Sequence, residues 1–468
     1  MKHIVIVGAG ISGLAIAYRL QQTCPSAVIT VLEEKQRPGG AVWTERQDDF
    51  RVEIGPNGFL DSKPFMLNLC RDLGLHNQLV PASEQSGRNR YLFWNGRLEP
   101  LPRSLLSFLT SPLLSWKGKL RLLSERFVRR SEIGLDESID AFVWRRAGKE
   151  AAEVLADALV TGIYAGDPRV LSLAACFPRL AAMEKESGSI IAGFLQSARQ
   201  RRVDATRTGK KSPAGRMWSF PDGLRLLIET LRDRLSRPPV CGIKVCRLER
   251  NSESSLPPWL VRGEGKDNWP ADAVVLACPA HQQAAILSGL DSELARRIGS
   301  IAYNRLAVVA LGYRKDDVHK LLDGFGFIAP QRMKRDILGV QWCSSIFPER
   351  APPGMILLRA MCGGWNRPEI ADWDDERLIH AVRMELRVSM GISSEPVFQR
   401  IIRWDRAIPQ YRLGHLQLVA WIEERAQRYP GIFLAGNAYH GVALNDCTEQ
   451  AELLAPRIRS FLGEAKKE

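Results

Sequence analysis

The sequence predicts an α/β fold that begins with a Rossmann-like βαβ unit. Ile4–Val7 form an uninterrupted β-branched run, which is typical of a strand buried in a parallel sheet. Gly8, Gly10 and Gly13 follow with G-x-G-x-x-G spacing at the start of a helix-like segment. The stretch "AVITVLE" then predicts a second strand, which ends at Glu33, about 20 residues after Gly13. These three observations indicate a dinucleotide site at the glycine turn.

Each element of this unit has a physical reason. The first glycine permits the turn, the second lets a pyrophosphate approach the backbone, and the third lets the helix pack against the strand. Unpaired N–H groups and the dipole at the helix start favour the phosphates, and a carboxylate at the end of the second strand suits a ribose hydroxyl. The residues predicted to contact the dinucleotide here are Gly8, Ala9, Gly10, Ile11, Ser12, Gly13, Glu33 and Glu34.

Length and composition limit the protein class. A chain of 468 residues predicts two or three domains, and its 45% hydrophobic and 25% charged content is that of a globular protein. The nine cysteines are scattered without a CxxC pair, which favours free thiols in a reducing compartment. The first residues do not resemble a signal peptide, and we find no apolar run of the length that a membrane-spanning helix needs.

The net charge of +13 comes largely from two basic stretches, residues 97–132 and 199–216. Such charge is compatible with a solvated surface or with an anionic partner such as a lipid headgroup. Neither stretch carries a nucleic-acid recognition motif, so no nucleic-acid partner is predicted.

The residues after the second strand narrow the nucleotide. Arg37, Gly39 and Gly40 follow the acidic residue, and "EIGPNGF" begins at Glu53. In these features the sequence resembles the flavin amine oxidase superfamily. The resemblance implies FAD, with its adenosine at Glu33 and a backbone contact to its adenine at Val245. It also implies that the ribityl chain and ring lie along Gly39, Gly40, Ala41, Gly55, Pro56, Asn57 and Gly58.

A second glycine-containing corner lies near the C-terminus, where "GIFLAG" predicts a strand and a helix is expected to begin near Leu444. The resemblance implies that this helix points its N-terminus at the flavin pyrimidine edge, where a dipole favours the reduced, anionic form. Asn445 and Asp446 are expected to cap the helix. The stretch "GNAYHG" contains no cysteine, and the first cysteine after it is Cys447. This absence predicts that FAD is bound non-covalently. The predicted flavin contacts in this corner are Asn437, Val442, Ala443 and Leu444.

Further stretches resemble a narrower family. "ALVTGIYAGDPRVLSLAACFPRL", "WSFPDGLRLLIETL", "RWDRAIPQYRLGH" and "GNAYHGVALNDC" together resemble the oxygen-dependent protoporphyrinogen oxidases of haem biosynthesis, whose Gram-positive relatives act on coproporphyrinogen III. The resemblance implies oxidation of a porphyrinogen by hydride transfer to flavin N5, with O2 as acceptor and H2O2 as product. No protein residue is expected to act as a catalyst, and the seven histidines show no metal or triad spacing.

Five residues match the family's substrate pocket. Arg90 in "NRYLF" is expected to pair with a propionate, because a guanidinium offers two donors to a carboxylate. Phe325 and Ile328 in "GFGFI" would enclose a pyrrole, and Met361 in "RAMCGG" would line the opposite wall. Asn57 lies beside the expected flavin and could also contact the substrate.

The resemblance also implies a domain layout. We expect a Rossmann-like FAD-binding domain of the glutathione-reductase/amine-oxidase type, an antiparallel-sheet substrate domain at 297–425, and a helical insertion at 89–216. The insertion holds apolar residues followed by basic ones, as in an interfacial anchor. We therefore expect a cytoplasmic protein that is attached peripherally to the cytoplasmic face of the inner membrane. A homodimer is compatible with this layout. The FAD-binding domain would comprise 1–88, 217–296 and 426–468; the apolar residues are Leu105, Leu106, Phe108, Leu109, Leu113, Leu114 and Trp116.

Two alternatives stay open on the sequence. Within the enzymes, the trusted motifs do not separate protoporphyrinogen IX from coproporphyrinogen III. Outside them, Rab GDP-dissociation inhibitors share the fold and its glycine turn but bind prenylated proteins without catalysis. Glu33 together with both glycine corners favours the enzyme.

Overall fold

The computed structural model describes residues 1–129, 136–208, 215–251, 256–319 and 322–463. Parts of the two predicted basic stretches, 130–132 and 209–214, lie outside the described residues. All nine cysteines are free.

A five-stranded parallel sheet forms the first layer and draws its strands from distant parts of the chain. The predicted first and second strands are confirmed as neighbours, with His3 opposite Val28 and Val7 opposite Leu32. The predicted C-terminal strand lies at one edge of the same sheet. In sheet order the strands are Val240–Cys241, Val28–Glu33, His3–Val7, Ala273–Leu276 and Ile432–Leu434.

Apolar side chains cover both faces of this parallel sheet, as its continuous hydrophobic strands require. One face buries Ile4 and Ile6 against helices from both ends of the chain and from its middle. The other face buries Val5 and Val7 beneath a three-stranded antiparallel sheet and three further helices. The first group of helices is Ile11–Thr23, Phe65–Asp72, Arg225–Arg234 and Leu444–Phe461. On the second face, the three strands are Val245–Arg250, Trp259–Gly263 and Asn268–Ala271. The three helices there are Ala280–Leu287, Ser292–Gly299 and His415–Ala426.

A seven-stranded, mostly antiparallel sheet forms the second unit. One of its faces buries Val309, Phe327 and Ala360 against helix Asp375–Met390. The opposite face packs toward the parallel-sheet unit. This is seen at Arg359, whose side chain on that face donates a hydrogen bond to the Gly55 carbonyl. In sheet order the strands are Phe398–Trp404, Leu306–Arg314, Met355–Gly363, Gly339–Trp342, Gly326–Ile328, Tyr91–Trp94 and Arg97–Pro100.

The segment 89–216 differs in part from the predicted helical insertion. It begins with strands Tyr91–Trp94 and Arg97–Pro100, which extend the seven-stranded sheet. Tyr91–Trp94 pairs with strand Gly326–Ile328, and Arg97–Pro100 pairs with Tyr91–Trp94. The rest is helical as far as the structure describes it. Its helices are Leu105–Thr110, Trp116–Leu123, Ser124–Phe127, Ile139–Ala147, Lys149–Ala151, Ala152–Ala156, Asp157–Tyr164, Leu173–Cys176, Pro178–Ser187 and Ile190–Thr208.

The apolar run in this segment divides between surface and core. Leu105, Leu106 and Trp116 are exposed. Leu113 and Leu114 are buried against Leu92, Trp94 and Val154, so the expectation that they belong to a surface anchor is wrong. They pack between strand Tyr91–Trp94 and the helical residues Val154 and Ala158.

The remaining described elements are short. Hairpin Thr44–Gln47 and Phe50–Glu53 precedes the Gly55–Gly58 turn, and strands Phe59–Leu60, Met217–Ser219 and Val80–Pro81 form a small antiparallel sheet. The short helices are His76–Gln78, Glu84–Arg88, Lys315–Asp317, Gln331–Met333, Cys343–Ile346, Pro348–Arg350 and Pro368–Asp372. Among the described helices, none has the length and apolarity that crossing a bilayer would require.

Candidate active site

The glycine turn has the geometry that its spacing predicts. Gly8 has a φ of 104°, and an ideal Cβ there would lie 2.9 Å from the Cys278 backbone nitrogen. A Cβ at Gly13 would overlap the Gly8 carbonyl oxygen, so the helix approaches the strand closely. A Cβ at Gly10 would meet nothing within 4 Å. The space before Gly10 is therefore open to a ligand at the start of helix Ile11–Thr23.

Glu33 is held at this turn by backbone donors. Its Oε2 accepts the Ala9 N–H at 2.8 Å and its Oε1 accepts the Lys35 N–H at 3.0 Å. Each carboxylate oxygen keeps a further lone pair for a ribose hydroxyl. Glu34 is exposed and accepts a hydrogen bond from Gln282 at 2.6 Å.

The adenine-side prediction, Val245, begins the strand Val245–Arg250. Its side chain packs against the apolar cluster that contains Val7 and Leu32, the residues at the carboxyl ends of the first two strands. This position is close to Glu33, since the Ile243 N–H donates to the Glu33 carbonyl at 2.8 Å.

Two further glycine segments meet the turn. The Gly39 N–H donates to the Ala9 carbonyl at 2.7 Å, and an ideal Cβ at Gly40 would lie 3.6 Å from the Gly10 Cα. A Cβ at Gly55 would overlap the Ala41 carbonyl oxygen. The predicted ribityl-side segments, Gly39–Ala41 and Gly55–Gly58, therefore lie side by side along one edge of the site, next to the Gly8–Gly13 turn. We call these three segments the cofactor cradle.

The C-terminal corner completes the same edge. Helix Leu444–Phe461 begins at the predicted residue and follows strand Ile432–Leu434. Because the carboxyl ends of parallel strands meet at one edge, this helix and Ile11–Thr23 both begin there. The turn from Asn437 to Ala443 links the strand Ile432–Leu434 to its helix, so the N-termini of both helices lie at the sheet edge where the sequence predicts the cofactor.

Buried tyrosines brace this corner, and sequence reasoning missed them. The Tyr411 hydroxyl donates to the Asn437 carbonyl at 2.5 Å and accepts the Gly441 N–H at 2.8 Å. The Tyr439 hydroxyl donates to Gln283 at 2.7 Å. Tyr411 lies in another domain of the predicted layout, so no local pattern connects it with the corner.

One of the two predicted helix caps is confirmed. The Asp446 side chain accepts the Ala443 N–H at 3.0 Å and pairs with Lys63 at 2.7 Å. Asn445 does not cap the helix, because it accepts the Met66 N–H at 3.0 Å and donates to the Leu60 carbonyl. Its role is to join the C-terminal helix to residues 60–66.

The predicted substrate residues fall into two groups. Ile328 and Met361 both lie opposite Gly339, so they share the sheet face that turns away from helix Asp375–Met390. The Arg90 guanidinium lies over the Phe325 ring, 5.2 Å from its centroid. Arg90 is exposed, and among the described residues its guanidinium forms no ion pair with a carboxylate.

Asn57 supports a ligand position beside the Gly55–Gly58 turn. It is 5% exposed, and neither Nδ2 nor Oδ1 has a hydrogen-bond partner among the described residues. Buried amides are normally satisfied, so this one fits an amide that contacts a bound cofactor. With the open space at Gly10 and the placement of Glu33, the residues present fit FAD.

A buried charged group on the sheet face was also missed. Arg359 lies two residues before Met361, is 5% exposed, and faces the same side. Burial lowers the pKa of its guanidinium. The sequence carried an indication, since an arginine inside the apolar strand "MILLRAMCG" is rarely buried without a partner.

The chain is similar to known flavin-containing oxidoreductases over almost its whole length. The family model described as flavin-containing amine oxidoreductase matches residues 11–459. Over 98% of this chain, it is 33% identical to protoporphyrinogen oxidase 1 of Arabidopsis thaliana, covering 88% of that protein. It is 31% identical to the coproporphyrinogen III oxidase of Bacillus subtilis, covering 98% of each. The crystal structure of a proposed protoporphyrinogen oxidase from Exiguobacterium superposes with a TM-score of 0.83 at 27% identity, over 99% of both chains.

Proposed function

Because the chain belongs to the family of flavin-containing amine oxidoreductases, we propose that it oxidises protoporphyrinogen IX to protoporphyrin IX with bound FAD. One observation carries the proposal: similarity to porphyrinogen oxidases extends over 98% of the chain, through both glycine corners and the sheet face with Ile328 and Met361. FAD, when bound, supplies the hydride acceptor and passes the electrons to O2, with release of H2O2.

The residues then have distinct tasks. The two helix N-termini bind the pyrophosphate and the pyrimidine edge, and Glu33 holds the ribose. Ile328 and Met361 offer an apolar surface to the flat macrocycle and exclude water from it. Arg90, whose guanidinium lies over the Phe325 ring, binds a propionate with its planar pair of donors.

A second candidate substrate is coproporphyrinogen III. Its support is the 31% identity to the Bacillus enzyme over 98% of each chain. Purified protein should be given each porphyrinogen in parallel under air, with porphyrin fluorescence recorded over time. A higher kcat/KM for coproporphyrinogen III would reverse the assignment, and activity on neither would contradict the proposed function.

Non-covalent FAD is part of the proposal. It is supported by the absence of cysteine from Gly436–Gly441, and Cys447 is buried inside the helix that follows. Acid precipitation should leave the yellow colour in the supernatant. Colour retained in the pellet would indicate a covalent bond.

Membrane attachment is proposed for the helical segment. Leu105, Leu106, Trp116, Leu120 and Phe127 are exposed, at 65%, 74%, 65%, 66% and 85%. Within helix Trp116–Leu123, Trp116 and Leu120 are four residues apart and share a face. Exposed apolar groups beside basic residues suit an anionic lipid surface. We therefore place the protein on the cytoplasmic face of the inner membrane.

The domain layout and a homodimer are proposed with it. The discontinuous FAD-binding domain is supported by the five parallel strands, which come from residues 3–33, 240–241, 273–276 and 432–434. Limited proteolysis should cut near 89, 217, 297 and 426 first. Sedimentation equilibrium with detergent present tests the dimer, and a single monomeric mass would contradict it.

A further inference from the structure

Unpartnered polar atoms are concentrated where the seven-stranded sheet meets the Gly55–Gly58 turn. Arg359 uses Nη2 to bond the Gly55 carbonyl, but its Nε and Nη1 have no partner in the described chain. Gln341, directly opposite on the neighbouring strand, has an unpartnered Oε1, and Asn57 lacks partners for both side-chain atoms. A buried donor without an acceptor is costly, and a charged one more so. The two free Arg359 donors and the Asn57 amide N–H therefore call for an acceptor, while the Gln341 and Asn57 oxygens call for a donor, so the lining as a whole fits a ligand that carries both.

The charges around Arg359 do not balance. The nearby buried pair of Arg350 and Glu53 is joined at 3.1 Å, and Glu53 also accepts the Leu224 N–H at 2.9 Å and the Thr44 hydroxyl at 3.0 Å. Glu53 is thus engaged by other donors. Arg350, Glu53 and Arg359 are all buried, so two arginines and one glutamate leave one buried positive charge. Such a cation is stable only when another negative group approaches it.

The cation lies against the cofactor cradle. Arg359 donates a hydrogen bond to the Gly55 carbonyl. Gly55 in turn lies against Ala41, since a Cβ at Gly55 would overlap the Ala41 carbonyl oxygen. Ala41 follows Gly40, which approaches Gly10 of the dinucleotide turn. On the other side, Arg359 shares its sheet face with Met361, a predicted substrate contact. The unpaired guanidinium is therefore between the ribityl-side segments and the substrate surface.

We propose that Arg359 is the buried cation that stabilises the negative charge of the reduced flavin, with Gln341 and Asn57 completing the polar lining. The inference rests on the proposed flavin function. A fixed charge in a site without water stabilises developing charge without reorganisation. The C-terminal helix dipole acts on the same form, and Arg359 adds a full charge from the sheet side.

The test is the reduction potential of the bound flavin in Arg359→Met. Losing the cation should reduce the preference for reduced over oxidised flavin at least about tenfold, which is about 30 mV for a two-electron couple. Arg359→Lys keeps the charge and should recover part of the shift. Arg400→Met is the matched control: Arg400 lies in the same cross-strand row but is exposed and paired with Glu45 at 2.6 Å, so its loss should leave the potential unchanged.

Thermal unfolding of the flavin-free protein provides a second readout. Arg359→Met should unfold at the same or a higher temperature than wild type, because it removes an unpaired buried charge. An unchanged potential in the flavin-replete Met variant would overturn the proposal. So would failure of both Arg359→Met and Arg359→Lys to fold, which would assign the side chain to structure alone. A wild-type protein that binds no FAD would instead contradict the proposed function.

Discussion

The rings of Tyr411 and His415 are stacked, with centroids 4.0 Å apart and planes inclined by 14°. The Tyr411 hydroxyl holds Asn437 and Gly441, and His415 Nε2 donates to the Tyr439 carbonyl at 3.1 Å. This one aromatic pair therefore fixes three points of the C-terminal corner, at Asn437, Tyr439 and Gly441. Its rigidity keeps the backbone N–H groups near Leu444 in place.

Tyr411→Phe should keep the stack and lose both hydroxyl bonds. We expect about 1–3 kcal/mol less stability, since a buried acceptor and donor lose their partner. FAD affinity should fall about tenfold because the corner is less ordered. Tyr429→Phe is the control, since it removes a bond to Asp291 away from the site. Isothermal titration with FAD compares the affinities of Tyr411→Phe and Tyr429→Phe. Equal affinities of the two variants would show that the Tyr411 hydroxyl bonds do not position the corner.

His415 should make stability depend on pH. Burial lowers the pKa of His415 to about 4, below the 6.5 of an unfolded histidine. The unfolded state then binds more protons between these values, so stability is fully present above pH 6.5 and decreases as the pH falls toward 4. The contribution is about 2 kcal/mol between pH 7 and 5.

Urea unfolding of wild type and His415→Gln at both pH values checks this. Asp157, whose pKa burial raises to about 6, titrates in the same window with the opposite sign, so the difference between the two proteins is the quantity to compare. If the free energy of unfolding changes equally with pH in both proteins, His415 does not bind a proton when the protein unfolds.

Alanine at Gly10 and Gly13 should have different effects. A Cβ at Gly10 meets open space and its φ of −71° suits alanine, so flavin-free Gly10→Ala should unfold at the wild-type temperature. It should bind FAD at least about tenfold more weakly, because the Cβ occupies the phosphate approach. Gly13→Ala should destabilise the flavin-free protein by overlap with the Gly8 carbonyl. Equal melting temperatures for the two variants would contradict this division.

Arg90→Ala should weaken substrate use without affecting the flavin. Losing a hydrogen bond to a charged group costs about 1.5–3 kcal/mol, so kcat/KM should fall roughly 10- to 100-fold. Arg90→Lys should recover part, because an ammonium lacks the planar fork. Arg88→Ala is the control, since Arg88 is exposed and pairs with Glu84 at 3.1 Å. Wild-type kinetics in flavin-replete Arg90→Ala would leave Arg90 as a surface residue.

Replacing Leu105, Leu106, Trp116 and Leu120 with serine should abolish flotation with anionic liposomes while activity in detergent persists. Part of wild-type binding should be lost in salt, because exposed charges are screened beyond roughly 8–10 Å. The control replaces Leu413 and Leu416 with serine; both are exposed and lie outside residues 89–216. Undiminished flotation of the fourfold variant would place the membrane contact elsewhere.

Local elements were readable because short-range physics determines them. The β-branched run, the glycine spacing and Glu33 predicted strand His3–Val7 and its turn, and "GIFLAG" with small residues predicted the corner before Leu444. Each depends on neighbours within a few residues. The same reasoning misplaced Leu113 and Leu114, because an apolar run does not show which side meets a partner.

By itself, then, the sequence determined the α/β class, the two glycine corners and the family resemblance, all of which depend on local spacing. Only the tertiary structure decided which distant groups meet: Tyr411 with Asn437, Asn445 with Met66, and Arg359 with Gly55. These pairs join residues 26 to 379 positions apart. Burial and hydrogen-bond satisfaction select such contacts over the whole chain, and no local pattern records them.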